Sequence, residues 1–513
     1  MQYKEPVLGA EELNEFTEKT KAFYEGKIPK NEYKVYSGKY GSYAQRDSKS
    51  SMIRLRMAGG RLTKDKLLYM IECIKKYQIK RVHLTTCQTI QLHDLGIEAV
   101  SGILESSIRH GIITLGGGGD YPRNVMAPPL SGIEKGEYFD VLPYAEEAEK
   151  YLLSFLDSKK MPRKLKVCFS SSPSNITHAT FRDLGFAARP EGTFDVYSAG
   201  GLGPKPKMGI KVAENVEPSQ ILYHICTMRE VFLEYGNYEQ RARARTRYMR
   251  DLLGDEGYRQ VYLEKLREVR EREDLTIRAE AQKTEKKGDG SRAFGLRILS
   301  QKQGGLYTVL YHPIGGCPEP DIFSKIYDVI REMDDVELRI GPDGTLYIIN
   351  LTGTEADVIL RVTRNGAETP FEASVACIGA GICQSGICDS QKLLRNAIRK
   401  VKEAGISAGA LPKMHISGCP SSCGTHQIGQ IGFRGGMKRV DQKMVPAYEV
   451  SLFGCERQGE ERLGRIAGNM LEDDIPKFLV ELGKEVEQSG ISYEQWKEKH
   501  GDRILEIAGK YTN

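Results

Sequence analysis

Two stretches of the chain, residues 51–111 and 305–365, show the same order of alternating and helical hydrophobic positions. The first runs through "SMIRLRMAGG", "TKDKLLYMIECIKKYQ", "RVHLTT", "TIQLHDL" and "IEAVSGILESSIRHG". The second runs through "GLYTVLYHPIGG", "EPDIFSKIYDVIREM", "VELRI", "TLYIINL" and "TEADVILRVTRN". Alternation predicts strands and a 3.6-residue period predicts helices, so each stretch is predicted to form a βαββα layer. Gly60 and Thr89 are 29 positions apart, as are Gly316 and Thr345, which indicates a duplicated antiparallel α+β unit.

A second pair of segments repeats at a constant offset of 247 positions. The segment "KVCFSSSPSNITHATFRDLGF" begins at Lys166, and "KMHISGCPSSCGTHQIGQIGF" begins at Lys413. The two cysteines of the later segment correspond to Ser172 and Ile176 in the earlier one. We therefore expect two copies of one scaffold, of which only the second carries thiols at these positions.

The composition narrows the class of protein. The chain has 513 residues, 40% hydrophobic and 28% charged, which is typical of a soluble protein with several domains. It lacks a run of 18 apolar residues, and its polar, acidic N-terminus does not resemble a signal or transit peptide, so we expect a cytoplasmic protein without a membrane span. The net charge of +5 is too small to favour nucleic-acid binding, and it is compatible with an acidic protein partner.

Four of the eleven cysteines form two closely spaced pairs. Cys377 and Cys383 have C-x5-C spacing, and Cys419 and Cys423 have C-x3-C spacing, both among small residues. Four thiolates suit one [4Fe–4S] cluster, and the glycines allow backbone N–H groups to approach the sulfurs. A structural zinc with four thiolates and a set of unrelated core thiols are the alternatives. Cys388 lies in the same stretch, but its spacing matches neither pair.

The segment "SGCPSSCGTHQIGQIGF" resembles the signature of the sirohaem-containing nitrite and sulfite reductases. The resemblance extends over residues 40–480, including the duplicated architecture, and Gln430 departs from it at a usually acidic position. It implies that Cys423 both binds the cluster and bridges it to the sirohaem iron. Cys377, Cys383 and Cys419 would then complete the cluster ligands.

The resemblance also implies the fold class. This is an α+β fold with two ferredoxin-like halves and two α/β sirohaem- and cluster-binding domains, related by pseudo-twofold symmetry. The polar run "EREDLTIRAEAQKTEKKGDGSR" at residues 271–292 predicts a linker or mobile surface segment between the halves. The expected divisions begin with an N-terminal segment (1–50), a first ferredoxin-like half-domain (51–115) and a first sirohaem domain (116–270). They continue with a linker (271–300), a second half-domain (301–370), and a cluster domain with C-terminal helices (371–513).

Several basic residues fall where an anion site would need them. Arg54 and Arg56 are two apart on a predicted strand and so share a face, and Arg123 follows the glycine run "GGGGDYPRNV". Lys164 and Lys166 also alternate along a strand. The resemblance implies that Arg56, Arg123, Lys164 and Lys166 bind the substrate anion. Each of them could instead be a solvated surface charge.

The same resemblance implies further contacts to the cofactor. The stretch "LTTCQTIQLHDL" resembles a family segment whose residues line the sirohaem, which points to Gln88, Gln91 and His93. Arg54 and, from the basic run "YEQRARARTRYMRD", Arg245 and Arg247 are expected to bind its carboxylates. Cys87 stands where these enzymes generally have an arginine, so one cation of the expected set is absent.

These observations predict an oxidoreductase that reduces sulfite to sulfide with six electrons. Sulfite is favoured because the pair Lys164 and Lys166 resembles the arrangement of the sulfite reductases. Reduction of nitrite to ammonia is the alternative on the same scaffold. A haem-free iron–sulfur electron carrier or redox sensor is the alternative of another class, and a nucleic-acid-binding protein with a structural metal is a third. Since no flavin or nicotinamide fingerprint follows a strand, the expected donor is a separate small protein such as ferredoxin, acting on a monomer.

Overall fold

The first ferredoxin-like half-domain is a sheet covered by helices. The computed structural model describes residues 6–281 and 283–512, so residues 1–5 of the expected N-terminal segment and residue 282 of the expected linker lie outside the described residues. The elements are α1 (Ala10–Tyr24), α2 (Lys30–Ser37), β1 (Ser42–Ala44), β2 (Ser51–Leu55), β3 (Arg61–Leu62), α3 (Lys64–Lys76), β4 (Val82–Leu84), β5 (Ile90–Leu95) and α4 (Ile97–Ser106).

The first larger domain contains a four-stranded sheet with long helices packed against it. Its elements are α5 (Leu142–Leu153), β6 (Val167–Ser170), β7 (Leu184–Ala188), β8 (Phe194–Ser198), β9 (Ile210–Val216), α6 (Ile221–Tyr235) and α7 (Met249–Arg272). Strands β6 and β7 are parallel, and the remaining neighbours are antiparallel.

The second half repeats both units in the same order. Its half-domain has β10 (Ile298–Ser300), β11 (Tyr307–Tyr311), α8 (Asp321–Ile330), β12 (Glu337–Ile340), β13 (Leu346–Leu351) and α9 (Gly353–Val362). Its larger domain has β14 (Val375–Ala376), α10 (Ser390–Glu403), β15 (Met414–Ser417), β16 (Ile431–Val440), β17 (Lys443–Leu452), β18 (Arg465–Leu471), α11 (Ile475–Gln488) and α12 (Tyr493–Gly509).

Sheet topology supports the duplication. The strand order β1-β2-β5-β4 of the first half-domain returns as β10-β11-β13-β12 in the second, and β6-β7-β8-β9 returns as β15-β16-β17-β18. Unusual backbone positions return as well. His178 and Thr425, which correspond at the 247-residue offset, both have left-handed φ, 63° and 54°.

The two half-domains share one hydrophobic core. Buried residues from both sheets, such as Leu84 and Ile340, belong to the same cluster. Strand β3 of the first half adds to the second sheet, where Leu62 pairs with Leu338 on β12. The backbones meet at Gly60, where a Cβ would lie 2.4 Å from the Ile340 oxygen and φ is +77°, so the position requires glycine.

The expected linker is held against the protein where the structure describes it. Helix α7 ends at Arg272, and the described residues between it and β10, 273–281 and 283–297, form no helix or strand. Leu275 and Ile277 are buried, and Lys286 forms an ion pair of 2.6 Å with Glu355. Within residues 6–281 and 283–512, none of the helices combines the length and apolar character that crossing a bilayer requires.

Candidate active site at the junction of the two halves

The four paired cysteines lie in loops that follow β14 and β15. The Gly418 N–H donates to Cys377 Sγ at 3.2 Å, and the Ser390 hydroxyl lies 3.1 Å from the same sulfur. Burial raises the pKa of Cys377 to about 12, and the nearby Cys423 contributes. Burial also raises the pKa of Cys423, with contributions from Cys419 and Cys383. The four thiols therefore influence one another, as a shared site requires.

The four thiols can be compared with the ligand sets of zinc and of an iron–sulfur cluster. A tetrahedral zinc with Zn–S bonds of about 2.3 Å would bring its sulfurs to about 3.8 Å from each other. In the described part of the chain, no three of these cysteines have their sulfurs all within 4.8 Å. A [4Fe–4S] cluster takes four cysteine ligands, so this donor set fits the cluster.

Cys388 is separate from this set. It is buried in the hydrophobic core of the second larger domain, and its sulfur lies 3.1 Å from the Gly436 oxygen. The thiol therefore points toward β16, in agreement with its exclusion on spacing.

Cys423 lies close to several cations. Its side chain is exposed, and burial raises its pKa while the charge of Lys164 lowers it. Burial, together with the charges of Lys166, Arg245 and Arg123, holds the pKa of Lys164 well below its ordinary value, while Cys423 opposes this shift. Three predicted substrate ligands, Lys164, Lys166 and Arg123, are thus brought close to the predicted bridging cysteine.

Arg54 lies on β2 and Arg56 directly follows the end of that strand, and the two side chains have different environments. Arg54 is half-buried, donates to Thr89 Oγ1 at 3.2 Å, and has no partner for Nε. Arg56 is buried and forms a 2.7 Å ion pair with Glu149, while its Nη1 donates to the Pro122 oxygen at 2.9 Å. The structure therefore places Arg56, expected to bind the substrate, in a buried ion pair, and leaves Arg54 half-buried with its Nε unpaired.

Arg123 is held by the glycine run that precedes it. Its guanidinium donates to the carbonyl oxygens of Gly116 at 2.9 Å and Gly119 at 2.8 Å, and also to Gly118. Burial lowers its pKa to about 10, so it remains charged at neutral pH. The loop fixes the guanidinium and so supplies a cation of defined position.

Asp183 organises the basic residues of the first larger domain. Its carboxylate accepts from the Lys166 N–H at 2.9 Å and from Arg245 at 2.7 Å. Arg247 is buried and donates to the Lys205 oxygen at 2.6 Å. Asp183 was not identified from the sequence, although it lies within the repeated segment that begins at Lys166.

Several guanidinium nitrogens of the arginines expected at the anion and the cofactor are buried without a partner. They are Arg54 Nε, Arg56 Nη2, Arg245 Nε and Arg247 Nη1. An unpaired buried donor is costly, and a carboxylate is its strongest acceptor. A ligand with many carboxylates, such as sirohaem, fits this set of donors.

The glutamines and the histidine expected at the cofactor have other partners. Gln88 is fully buried, and its amide donates to the oxygens of Ala127 and Ile340, both at 2.7 Å. Gln91 lies 3.0 Å from His83 Nδ1, and His93 lies 3.0 Å from Gln45. The structure thus places Gln88 as a link between the two halves, and Gln91 and His93 in a buried network across the first sheet.

A hydrogen-bonded chain that sequence reasoning missed crosses the two halves. Arg182 Nη2 lies 3.1 Å from His178 Nδ1, and His178 Nε2 lies 2.7 Å from the carboxylate of Glu456. Because arginine can only donate, Nδ1 accepts and Nε2–H donates to Glu456. Arg182 is thereby oriented beside Lys166 and Cys87, whose pKa values respond to its charge.

Comparison with known proteins decides the family. The model described as "Nitrite/Sulfite reductase ferredoxin-like half domain" matches residues 43–107, and the "Nitrite and sulphite reductase 4Fe-4S domain" matches residues 118–269. The chain belongs to the sirohaem and [4Fe–4S] nitrite and sulfite reductase family. It is an oxidoreductase with these two cofactors, and the predicted family, fold class and cofactors are confirmed. The matched regions lie in the first half, whereas the paired cysteines lie in the second copy of the scaffold.

Relatives of this reductase include both substrate types. Spinach chloroplastic ferredoxin–nitrite reductase is 27% identical over 456 residues, covering 85% of the chain and 74% of the relative. Sulfite reductase [ferredoxin] 1 of Mycolicibacterium paratuberculosis is 24% identical over 429 residues, covering 80% and 74%. The structure of the Mycobacterium tuberculosis NirA protein superposes with a TM-score of 0.79 at 22% identity, covering 98% of both chains. That superposition supports the fold.

Proposed function

We propose that this reductase converts sulfite to sulfide with six electrons. The observation that carries the proposal is the meeting of Lys164, Lys166 and Arg123 beside Cys423. Sulfite has three oxygens and bears more negative charge at neutral pH than nitrite, so a site with two lysines suits it. We also propose Cys377, Cys383, Cys419 and Cys423 as the cluster ligands, with Cys423 shared with sirohaem.

The side chains divide the work of binding and protonation. When bound, sirohaem and the cluster supply the electrons. Arg123 and Arg54, in place of the expected Arg56, hold the anion, because a guanidinium group offers several N–H donors to an oxyanion and the glycine run or strand β2 fixes them. Lys164 supplies protons, since burial and neighbouring cations depress its pKa and ease proton release. Each departing oxygen takes two protons and leaves as water.

Nitrite reduction is the second candidate, and one contact favours it. Lys166 Nζ lies 3.2 Å from Cys87 Sγ, so part of the charge of the second lysine is engaged by a thiol. A site with one free lysine suits a monoanion with two oxygens. The spinach relative, which is named a nitrite reductase, is consistent with this candidate.

Steady-state assays of the holoenzyme with reduced viologen, run separately on sulfite and nitrite, distinguish the candidates. A higher kcat/KM for sulfite, with sulfide as product, supports the first proposal. A higher value for nitrite, with ammonium as product, supports the second. Failure to reduce either anion, in a preparation whose visible spectrum shows the sirohaem bands, would contradict both.

We further propose that a ferredoxin-like protein docks over the Cys383 loop. The spinach relative is named for ferredoxin. Gly381, Ser385 and Ile387 of the loop are exposed, and a cavity of about 280 Å³ beside it is lined by Lys80 and Arg395. We define the cluster-loop surface as residues 381–387 together with the four exposed cations around them, which are Lys34, Arg46, Lys80 and Arg395. Its positive charge suits an acidic partner.

A further inference from the structure

Cys87 and Lys166 form a close contact inside the anion site. Lys166 Nζ lies 3.2 Å from Cys87 Sγ, and the thiol is half-buried. The backbone around the thiol is fixed, because Asn124 donates to the Cys87 oxygen at 3.1 Å. Gln88, the next residue, has a left-handed φ of 55°. The sulfur is thus held in place against the ammonium group.

The second half contains the counterpart of this contact. At the 256-residue offset that relates Gly60 to Gly316, Cys87 corresponds to Asp343, and at the 247-residue offset Lys166 corresponds to Lys413. Asp343 and Lys413 form an ion pair of 2.7 Å. The duplicated scaffold therefore places an anion opposite this lysine, and in the first half that position is occupied by a thiol.

The surroundings of Cys87 favour its thiolate. Burial opposes ionisation, but the charges of Lys166, Arg182 and Arg54 outweigh it and lower the pKa of Cys87 to about 6. Arg123 is another charged neighbour of Cys87. Cys87 also packs against an apolar cluster that contains Cys168. In Cys168 itself, burial raises the pKa to about 12, so that thiol stays neutral. A thiolate beside an ammonium group is a charge pair rather than a neutral contact.

We propose that Cys87 is a specificity-determining residue, which pairs with Lys166 as an anion and withdraws that lysine from the substrate. This inference rests on the proposed reduction of a small oxyanion. Cys87 stands where the family generally has an arginine, so the site has one cation fewer. The Cys87 thiolate also neutralises a second cation, Lys166. The site then discriminates less in favour of sulfite, the more highly charged anion, than its two lysines alone would suggest.

The test compares Cys87→Ser, which removes the anion, with Cys87→Asp, which retains one as in the second half. For each holoenzyme, the dissociation constants of sulfite and nitrite are measured from changes in the visible spectrum. The value of kcat/KM for each anion is measured with reduced viologen as the electron donor. Cys87→Ser should raise the sulfite-to-nitrite preference about tenfold, as expected for one charge in a partly desolvated site. Cys87→Asp should stay within about twofold of the parent enzyme. Cys73→Ser, a core thiol on α3, is the matched control and should leave the preference unchanged.

The pH dependence separates charge from shape. The difference in preference between the parent enzyme and Cys87→Ser should vanish as the pH falls through about 6, where Cys87 takes up its proton. Equal shifts in the Ser and Asp variants, or a difference that does not depend on pH, would overturn the inference. If Cys87→Ser does not fold, Cys87→Ala provides the same comparison. A parent enzyme that reduces neither anion would instead contradict the proposed function.

Discussion

The Thr86 hydroxyl donates a hydrogen bond to the carbonyl oxygen of Cys423 at 2.7 Å. Thr86 lies between β4 and β5 in the first half, whereas Cys423 follows β15 in the second half. The loop that carries Cys87 therefore braces the turn that carries the proposed bridging ligand. The proposed substrate-binding residues and the proposed cluster ligands lie in different halves, and this contact is one of those that join the halves.

Thr86→Val should disturb this alignment while retaining the shape of the side chain. Loss of one hydrogen bond costs about 1 kcal/mol, so the protein should fold with a melting temperature lowered by only a few degrees. The haem absorption and electron paramagnetic resonance signals should change, because the Cys423 turn is less firmly held. Unchanged spectra together with unchanged turnover would show that the contact does not position the cysteine.

Cys423→Ser should remove the shared ligand. We expect loss of reductase activity and of the coupling between sirohaem and cluster, measured by turnover and by iron and acid-labile sulfide content. Cys388→Ser is the matched control, because its sulfur faces β16 rather than the paired cysteines. If the Cys423 variant kept the parent turnover and haem spectrum, the bridging assignment would be wrong.

Lys164→Asn and Lys166→Asn should differ in their effects on sulfite. Cys423, the thiol whose charge acts on Lys164, is a proposed cluster ligand, so Lys164 stays available to the anion and its removal should lower sulfite kcat/KM by about two orders of magnitude, the usual cost of one preorganised charged donor. Lys166 is already paired at 3.2 Å, and its removal should cost about tenfold less. Equal losses in parallel assays would indicate that the Lys166–Cys87 contact does not persist in the holoenzyme.

Reversing one charge on the cluster-loop surface should weaken the binding of a protein electron donor. Lys80→Glu should raise the KM for ferredoxin about tenfold, and the effect should diminish at high salt, because exposed charges are screened. The measured quantity is the ratio of ferredoxin-driven to viologen-driven rates. Lys400→Glu, which replaces an exposed lysine on α10, serves as the control. A similar fall of this ratio in both variants would show that the donor binds at another surface.

The Asp343–Lys413 ion pair should stabilise the protein except in acid. Burial raises the pKa of Asp343, but Lys413 and His312 outweigh it and hold the pKa below the ordinary value of 3.8. The contribution is therefore complete above about pH 4 and is lost as the pH falls through the lower folded value. Asp343→Asn should cost about 3 kcal/mol at pH 7 and less below pH 3, measured by urea unfolding. A cost independent of pH would contradict this.

Much of the fold was predictable because its determinants are local. Hydrophobic periodicity identified the strands and helices of both half-domains, and the offsets identified the duplication before any contact was known. The cysteine pairs were also evident from spacing. Periodicity could not distinguish Arg54 from Arg56, because it predicted one strand face for both, whereas β2 ends at Leu55 and Arg56 pairs with Glu149. Nor could it show that Gln88 bonds to Ile340, or that Cys87 meets Lys166, because those contacts depend on how distant segments pack.

Strand β3 has a consequence for how the molecule can be divided. It is encoded with the first half, yet it forms the outer strand of the second half's sheet, beside β12. A fragment that begins after the duplication boundary would leave the backbone groups of β12 unpaired at an open sheet edge, where aggregation is favoured. Recombination or fragment expression that separates the halves is therefore expected to yield insoluble material.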